Sequence, residues 1–257
     1  MSIEYAPRGF IGVLTPQANT AVEPECAILL PRGVGLLAGR LVSASPVMEQ
    51  RLTDYFDNLD ASVAQFGSAP LRALGFACTG SSYLVGRGRE EEMFGRVSQR
   101  LGCTATTSAL AVVDALHALD AREIALVSPY SESLTQQSVA YWQSHGFRIA
   151  AVSRVTSSSA NNAHPIYGLG SDAALQAVNK LRGQAGDAVV MLGTGMPSLR
   201  AILESPRVDG APVFSCTLAL AWRCTRALEE AECSAASLLD WISGTHWKDS
   251  MKEFSRG

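Results

Sequence analysis

The chain of 257 residues is 47% hydrophobic and 18% charged, with a formal charge of -3; it has the apolar material for a sizeable core, which excludes a disordered chain or a disulfide-stapled peptide. No Lys/Arg block offers a surface for phosphate backbones or anionic lipid, no apolar run approaches the roughly 18 residues of a membrane helix, and Met1 to Phe10 lacks the features of a signal peptide. These absences predict a cytoplasmic protein with no nucleic-acid and no membrane partner.

Short runs rich in Val, Ile, Leu and Ala alternate with longer amphipathic stretches, the pattern of a parallel α/β sheet. In chain order the spacing predicts strands at Phe10 to Leu14 and Val34 to Leu41, a helix at Met48 to Phe66 and a strand at Ala73 to Ala77. Helices at Glu90 to Leu101 and Ser108 to Leu119 follow, then a strand at Glu123 to Val127, a helix at Ser131 to Ser144 and a strand at Arg148 to Val155. The remainder reads as a helix at Asp172 to Arg182, strands at Ala188 to Leu192 and Val213 to Ser215, and a helix at Leu218 to Ala231. Gly33 to Gly39 lies within strand and is not a dinucleotide loop, because no helix follows it directly. Arg87 to Glu92 reads as a solvated helix start, and Trp222, Trp241 and Trp247 as packing or interface residues.

The two halves echo each other. Ile11-Gly12-Val13-Leu14-Thr15-Pro16 returns as Ile124-Ala125-Leu126-Val127-Ser128-Pro129, and Leu74 to Gly80 returns as Val189 to Gly195, each a strand ending in X-Thr-Gly. From Pro16 to Cys78 is 62 residues and from Pro129 to Gly193 is 64, a common period that points to duplicated lobes.

Ligands of open α/β sheets sit beyond the carboxyl ends of the strands. Four loops in such places, Thr15 to Thr20, Cys78 to Ser82, Ser128 to Ser131 and Gly193 to Ser198, carry hydroxyls and glycines and few charges. Backbone N–H groups there suit an anion, although helix capping alone would select the same Ser, Thr and Asn. Cys26, Cys78, Cys103, Cys216, Cys224 and Cys233 lack CxxC spacing and read as free thiols, and the four histidines are isolated, so no metal site is expected. Lys180, Lys248 and Lys252 are the only lysines, in polar helical or tail contexts that argue against Schiff-base chemistry. Cys78 stands apart because it ends a strand and heads a Thr-Gly-Ser-Ser turn, a placement expected to lower its pKa and make it a nucleophile. A small buried hydrophobe is the alternative.

The run Ile11 to Glu25, Ala77-Cys78-Thr79-Gly80-Ser81, Ser128-Pro129-Tyr130, Asn161-Asn162 and Met196-Pro197-Ser198-Leu199 together resemble the maleate cis-trans isomerase and arylmalonate decarboxylase branch of the aspartate/glutamate racemase superfamily. The resemblance implies an α/β fold of two Rossmann-like lobes in pseudo-twofold arrangement, each a mostly parallel sheet flanked by helices, with an active site between them and no cofactor. We place the first lobe at 1–113 plus 226–257 and the second at 114–225.

Carried over by position, Cys78 matches the cysteine that adds to the double bond in maleate isomerases. Asn19, Tyr130 and Asn162 match their substrate-binding asparagine, tyrosine and second asparagine, and Thr79 and Gly80 match the carboxylate-binding turn. The second cysteine of racemases and maleate isomerases falls on Gly193, whereas the decarboxylase keeps that cysteine and has glycine at the first position. This departure argues against two-base racemisation and against direct transfer of the decarboxylase mechanism. It is also expected to leave room beside Thr194 for a substituent or water.

The expectation is therefore a cofactor-independent isomerase of a small unsaturated dicarboxylate, with Cys78 and Tyr130 catalytic. Asn19, Thr79, Gly80, Asn162, Gly193, Thr194 and Gly195 would bind the substrate, with no arginine needed to orient its carboxylates. A decarboxylase or racemase-like enzyme acting on a substituted malonate or amino acid is the alternative within enzymes, and an anion-binding protein the alternative outside them. Homo-oligomerisation is left open.

Overall fold

In the computed structural model, which describes residues 3–155 and 165–254, the apolar runs build two sheets. The first contains β1 (Gly9–Pro16), β2 (Val34–Leu41), β3 (Leu71–Phe76) and β4 (Thr104–Thr107), all parallel in the order β2-β1-β3-β4. The second contains β5 (Glu123–Ser128), β6 (Arg148–Arg154), β7 (Ala188–Met191), β8 (Arg207–Val208) and β9 (Ala211–Ser215) in the order β6-β5-β7-β9-β8, parallel except for the antiparallel edge strand β8. β1 and β5 hold matching places in their sheets, as do β3 and β7, so the echoed segments of the sequence are structural equivalents. Leu14, Leu74, Leu126 and Val190 on these central strands are fully buried, as strands covered on both faces by helices must be.

The helices are α1 (Val22–Leu29), α2 (Met48–Asp57), α3 (Leu59–Ala64), α4 (Thr79–Val85), α5 (Arg87–Leu101) and α6 (Ser108–Ala118) in the first half. α7 (Glu132–Ser144), α8 (Ser171–Asn179), α9 (Leu199–Glu204), α10 (Cys216–Leu228), α11 (Ala235–Ile242) and α12 (Lys248–Phe254) follow. The single helix expected over 48–66 is broken at Asn58, whose backbone leaves the helical region between α2 and α3. β4 escapes the periodicity reading because it is four residues long and reads Thr-Ala-Thr-Thr. α4 escapes it because its first turn, Thr-Gly-Ser-Ser, has weak helix propensity; tertiary packing supplies what propensity does not.

α10 packs on the first sheet although it follows the last strand of the second. Leu220 of α10 seats against Gly75 of β3, where a side chain at 75 would meet the leucine at 3.1 Å. Truncating a leucine buried this fully typically costs about 2–5 kcal/mol. Trp142, Trp222 and Trp247 are fully enclosed, and Phe56, Phe76 and Phe94 form an edge-to-face trio between α2, β3 and α5 with centroids 4.9 to 5.9 Å apart. The C-terminal tryptophans are therefore packing residues.

The expected solvated helix start at Arg87 to Glu92 holds for Glu91 and Glu92 but not for Glu90, which is wholly buried. Its carboxylate accepts from the hydroxyls of Thr107 and Tyr141, each at 2.5 Å, tying α5 to the start of α6 and to α7. Burial raises its pKa above the ordinary 4.5 in spite of these bonds. The folded state then holds this proton more tightly than the unfolded chain, so the stabilisation it brings is complete below about pH 4.5 and is lost as the pH rises through the folded value. Wild type is expected to lose Tm relative to Glu90→Gln as the pH goes from about 4 to 8 in calorimetry; a pH-independent difference would contradict the shift.

Candidate active site

The carboxyl ends of β1, β3, β5 and β7 face a common cavity of about 320 Å³. Cys78 follows β3 and is the residue before the first turn of α4. It is 5% exposed and lines the cavity. Its sulfur accepts from the Ser81 hydroxyl at 3.3 Å and faces the backbone N–H groups of Gly80 and Ser81. These donors favour a thiolate, as the sequence suggests, but burial outweighs them and the thiol pKa is raised. The expected depression is thus reversed, and Cys78 rests as a neutral thiol at pH 7.

Hydroxyl bridges join the strand ends of the two halves around this sulfur. Thr79 Oγ1 lies 2.7 Å from the Tyr130 hydroxyl, and Thr194 Oγ1 donates to the Ala77 carbonyl at 2.7 Å. Asn19 Nδ2 donates to Thr194 at 3.4 Å while Asn19 Oδ1 caps α1 by accepting from the N–H groups of Ala21 and Val22. The capping and ligand-binding readings of this asparagine therefore coexist, since Asn19 also lines the cavity. Burial pushes the Tyr130 hydroxyl well above its usual pKa, with the nearby Cys78 adding to the effect, so it keeps its proton at neutral pH.

Gly193, Thr194 and Gly195 reach the same cavity from the end of β7, and Gly80 from α4. Gly193 has a φ of +82°, and a Cβ built there would stand 2.8 Å from Pro129 Cγ and 3.4 Å from the Tyr130 hydroxyl oxygen. The room expected beside this glycine is thus filled by Pro129 and Tyr130, and the backbone itself is of a kind that L side chains resist. At Gly195 a Cβ would approach the Tyr167 ring to 2.5 Å, so glycine lets that ring close on the turn. Asn161 and Asn162 lie outside the described residues.

The sequence reading misses part of the wall. Met48, Leu52 and Tyr55 of α2 line the cavity, and their spacing of four and three residues is indistinguishable from a core stripe. Ile166 and Tyr167 come from a short 3-10 turn. Arg51 also lines the cavity, a residue the sequence reading does not place there; its guanidinium donates to the Ser45 carbonyl at 3.2 and 3.1 Å. Burial raises Tyr55 to about 12. Glu49 and Arg51 are the charged residues among the described cavity-lining residues, so no imidazole or lysine stands there as a base. No group of three His, Cys, Asp or Glu suited to a metal ion occurs among the described residues, nor any helix long and apolar enough to cross a membrane.

Residues 11–238 match the family model for arylmalonate decarboxylase. The chain is 28% identical over 231 residues to a maleate isomerase of Nocardia farcinica, covering 85% of this chain and 90% of the relative. Among solved structures, a maleate isomerase variant from Pseudomonas putida S16 with maleate superposes with a TM-score of 0.79 at 22% identity, over 93% of this chain and 99% of that one. A cysteine-to-serine variant of the Nocardia farcinica maleate cis-trans isomerase, carrying a covalently bound succinylcysteine intermediate, superposes with a TM-score of 0.75 at 25% identity, over 90% and 98%. With the family model spanning most of the chain and the two-sheet architecture shared, the protein is a member of the arylmalonate decarboxylase family.

Proposed function

We propose that this protein is a cofactor-independent cis-trans isomerase of an unsaturated dicarboxylate, with Cys78 as nucleophile. The observation that carries the reading is the Cys78 thiol on the wall of a cavity whose other described lining is almost devoid of charge. Sulfur bonds to one alkene carbon, the π pair moves to the other carbon, and that carbon takes up the proton that the thiol gives up. The product is a succinyl thioether whose central carbon–carbon bond is single and rotates; elimination then returns the proton and expels the trans diacid. A relative's succinylcysteine is the same chemical species.

In this reading the backbone N–H groups of Thr79, Gly80, Thr194 and Gly195 hold the substrate carboxylates, the Tyr130 hydroxyl donates to the charge that develops on addition, and Asn19 and Asn162 orient the diacid. Such donors are commonly worth a few kcal/mol each in a site that excludes water. A racemase would need a second acid on the opposite face of the reacting carbon, and the decarboxylases this chain resembles place their single proton donor at the position of Gly193. At Gly193 the positive φ and the filled space offer no place for one, which favours the one-thiol isomerase.

The walls also speak to the substrate. A cavity of about 320 Å³ falls within the roughly 300–1,000 Å³ range of small-molecule pockets, larger than a four-carbon diacid needs. Leu52, Tyr55, Leu134, Ile166 and Tyr167 make much of it apolar, which suits a cis-enedioate bearing an apolar substituent.

Proton NMR of the protein with maleate, citraconate and a methylmalonate-type acid tests the reaction type: trans-alkene signals are expected, and carbon dioxide loss from the malonate would overturn the reading. Cys78→Ser should abolish turnover with an unchanged Tm, because a hydroxyl is a far weaker nucleophile at neutral pH; retained activity would remove Cys78 from the mechanism. Tyr130→Phe should lower kcat by about 10²–10³-fold with little change in KM, and a pure rise in KM would make Tyr130 a positioning residue. With the thiol pKa raised, kcat/KM should climb with pH through the ordinary thiol value near 8.5. A plateau reached below pH 7 would indicate a thiolate already formed.

A further inference from the structure

Glu25 does not line the cavity, yet it is a carboxylate buried to 6% exposure on α1. It points across to the second half, where the Ser198 N–H donates to its Oε1 at 2.5 Å and the Leu199 N–H at 3.2 Å. The Ser198 hydroxyl lies 3.0 Å from each carboxylate oxygen, and the Thr217 hydroxyl adds a further bond. Ser198 in turn sits 2.8 Å from Ser215 Oγ, the side chain that caps α10. One carboxylate thus reaches the starts of both α9 and α10. Burial raises its pKa to about 7 against the opposing pull of these donors. An apolar side chain of similar volume would avoid the desolvation penalty but leave the Ser198 and Leu199 N–H groups without an acceptor.

The same helix meets the second half at another point. Asn19 caps α1 and donates to Thr194, six residues before Glu25, while Glu25 grips Ser198, four residues after Thr194. The Gly193 to Gly195 turn is therefore held at Thr194 by Asn19, just before α1, and by the Ala77 carbonyl, while the segment that leaves it is held at Ser198 by Glu25 of α1.

We propose that Glu25 is a positioning residue that holds the Gly193–Gly195 turn in register with the Cys78–Gly80 turn, so that both carboxylates of one diacid are gripped at once. This rests on the dicarboxylate reading of the cavity. A monocarboxylate needs one turn only and is indifferent to their relative placement.

Glu25→Gln preserves shape and an acceptor for the two N–H groups while removing the charge. Two measurements at pH 8 test the proposal, on wild type and on this variant. In hydrogen exchange of the ligand-free protein, the amides of Gly193 to Gly195 should lose protection while those of β3 and β7 keep theirs. In binding, maleate should weaken by about 10- to 100-fold while acrylate, with one carboxylate, keeps its wild-type inhibition constant. Unchanged turn exchange with unchanged maleate affinity overturns the proposal, as does an equal loss for maleate and acrylate or a uniform loss of protection, which would mark a structural role. If the turn amides loosen but wild type takes no dicarboxylate, the positioning role stands and the substrate reading falls.

Discussion

Two hydroxyl bridges, from Thr194 to the Ala77 carbonyl and between Thr79 and Tyr130, join residues 117 and 51 positions apart across the meeting of the two sheets. Each is worth only about 0.5–1.5 kcal/mol net, little beside the burial of the tryptophans and of the leucines on the central strands. The fold would survive the loss of either. The site would not, because Cys78, the Thr79–Gly80 turn and the Gly193–Gly195 turn come from different sheets and share a cavity only in the register these bonds set. A slip that left a buried partner unpaired would cost about 1–3 kcal/mol, so the bonded register is strongly preferred over its neighbours.

That register buries the thiol, and burial acts in two directions. It raises the Cys78 pKa, so that little thiolate exists before a substrate arrives. It also strengthens each N–H and O–H aimed at a developing negative charge, because the effective dielectric is low. Burial of Tyr130 works to the same end by keeping its hydroxyl protonated. An enzyme of this kind would trade nucleophile concentration for transition-state stabilisation.

The parts of the fold set by local pattern were legible in the sequence. β2 is found at the predicted residues 34–41, and the echo of Ile11–Pro16 in Ile124–Pro129 marks strands in equivalent positions. What escaped was set by packing between distant segments. Glu90 and Glu25 resemble solvated helix acids until the fold surrounds them with donors, Met48, Leu52 and Tyr55 have the spacing of any core face, and Arg51 carries no local sign that α2 will bring it to a cavity. Gly193 misled in a different manner. Its small size implied space, whereas its positive φ and the inward Pro129 and Tyr130 show that glycine is there for the backbone.

The central claim is that one thiol of the six acts on a dicarboxylate in this cavity, and competition for that thiol tests it most directly. The protein is treated with iodoacetamide with and without maleate or citraconate, and each cysteine is followed by peptide mass spectrometry. Cys78 should be alkylated in step with the loss of activity and be protected by the diacid, while the buried Cys26, Cys216 and Cys224 stay unmodified. Loss of activity with Cys78 intact, or alkylation of Cys78 unaffected by the diacid, would contradict the account.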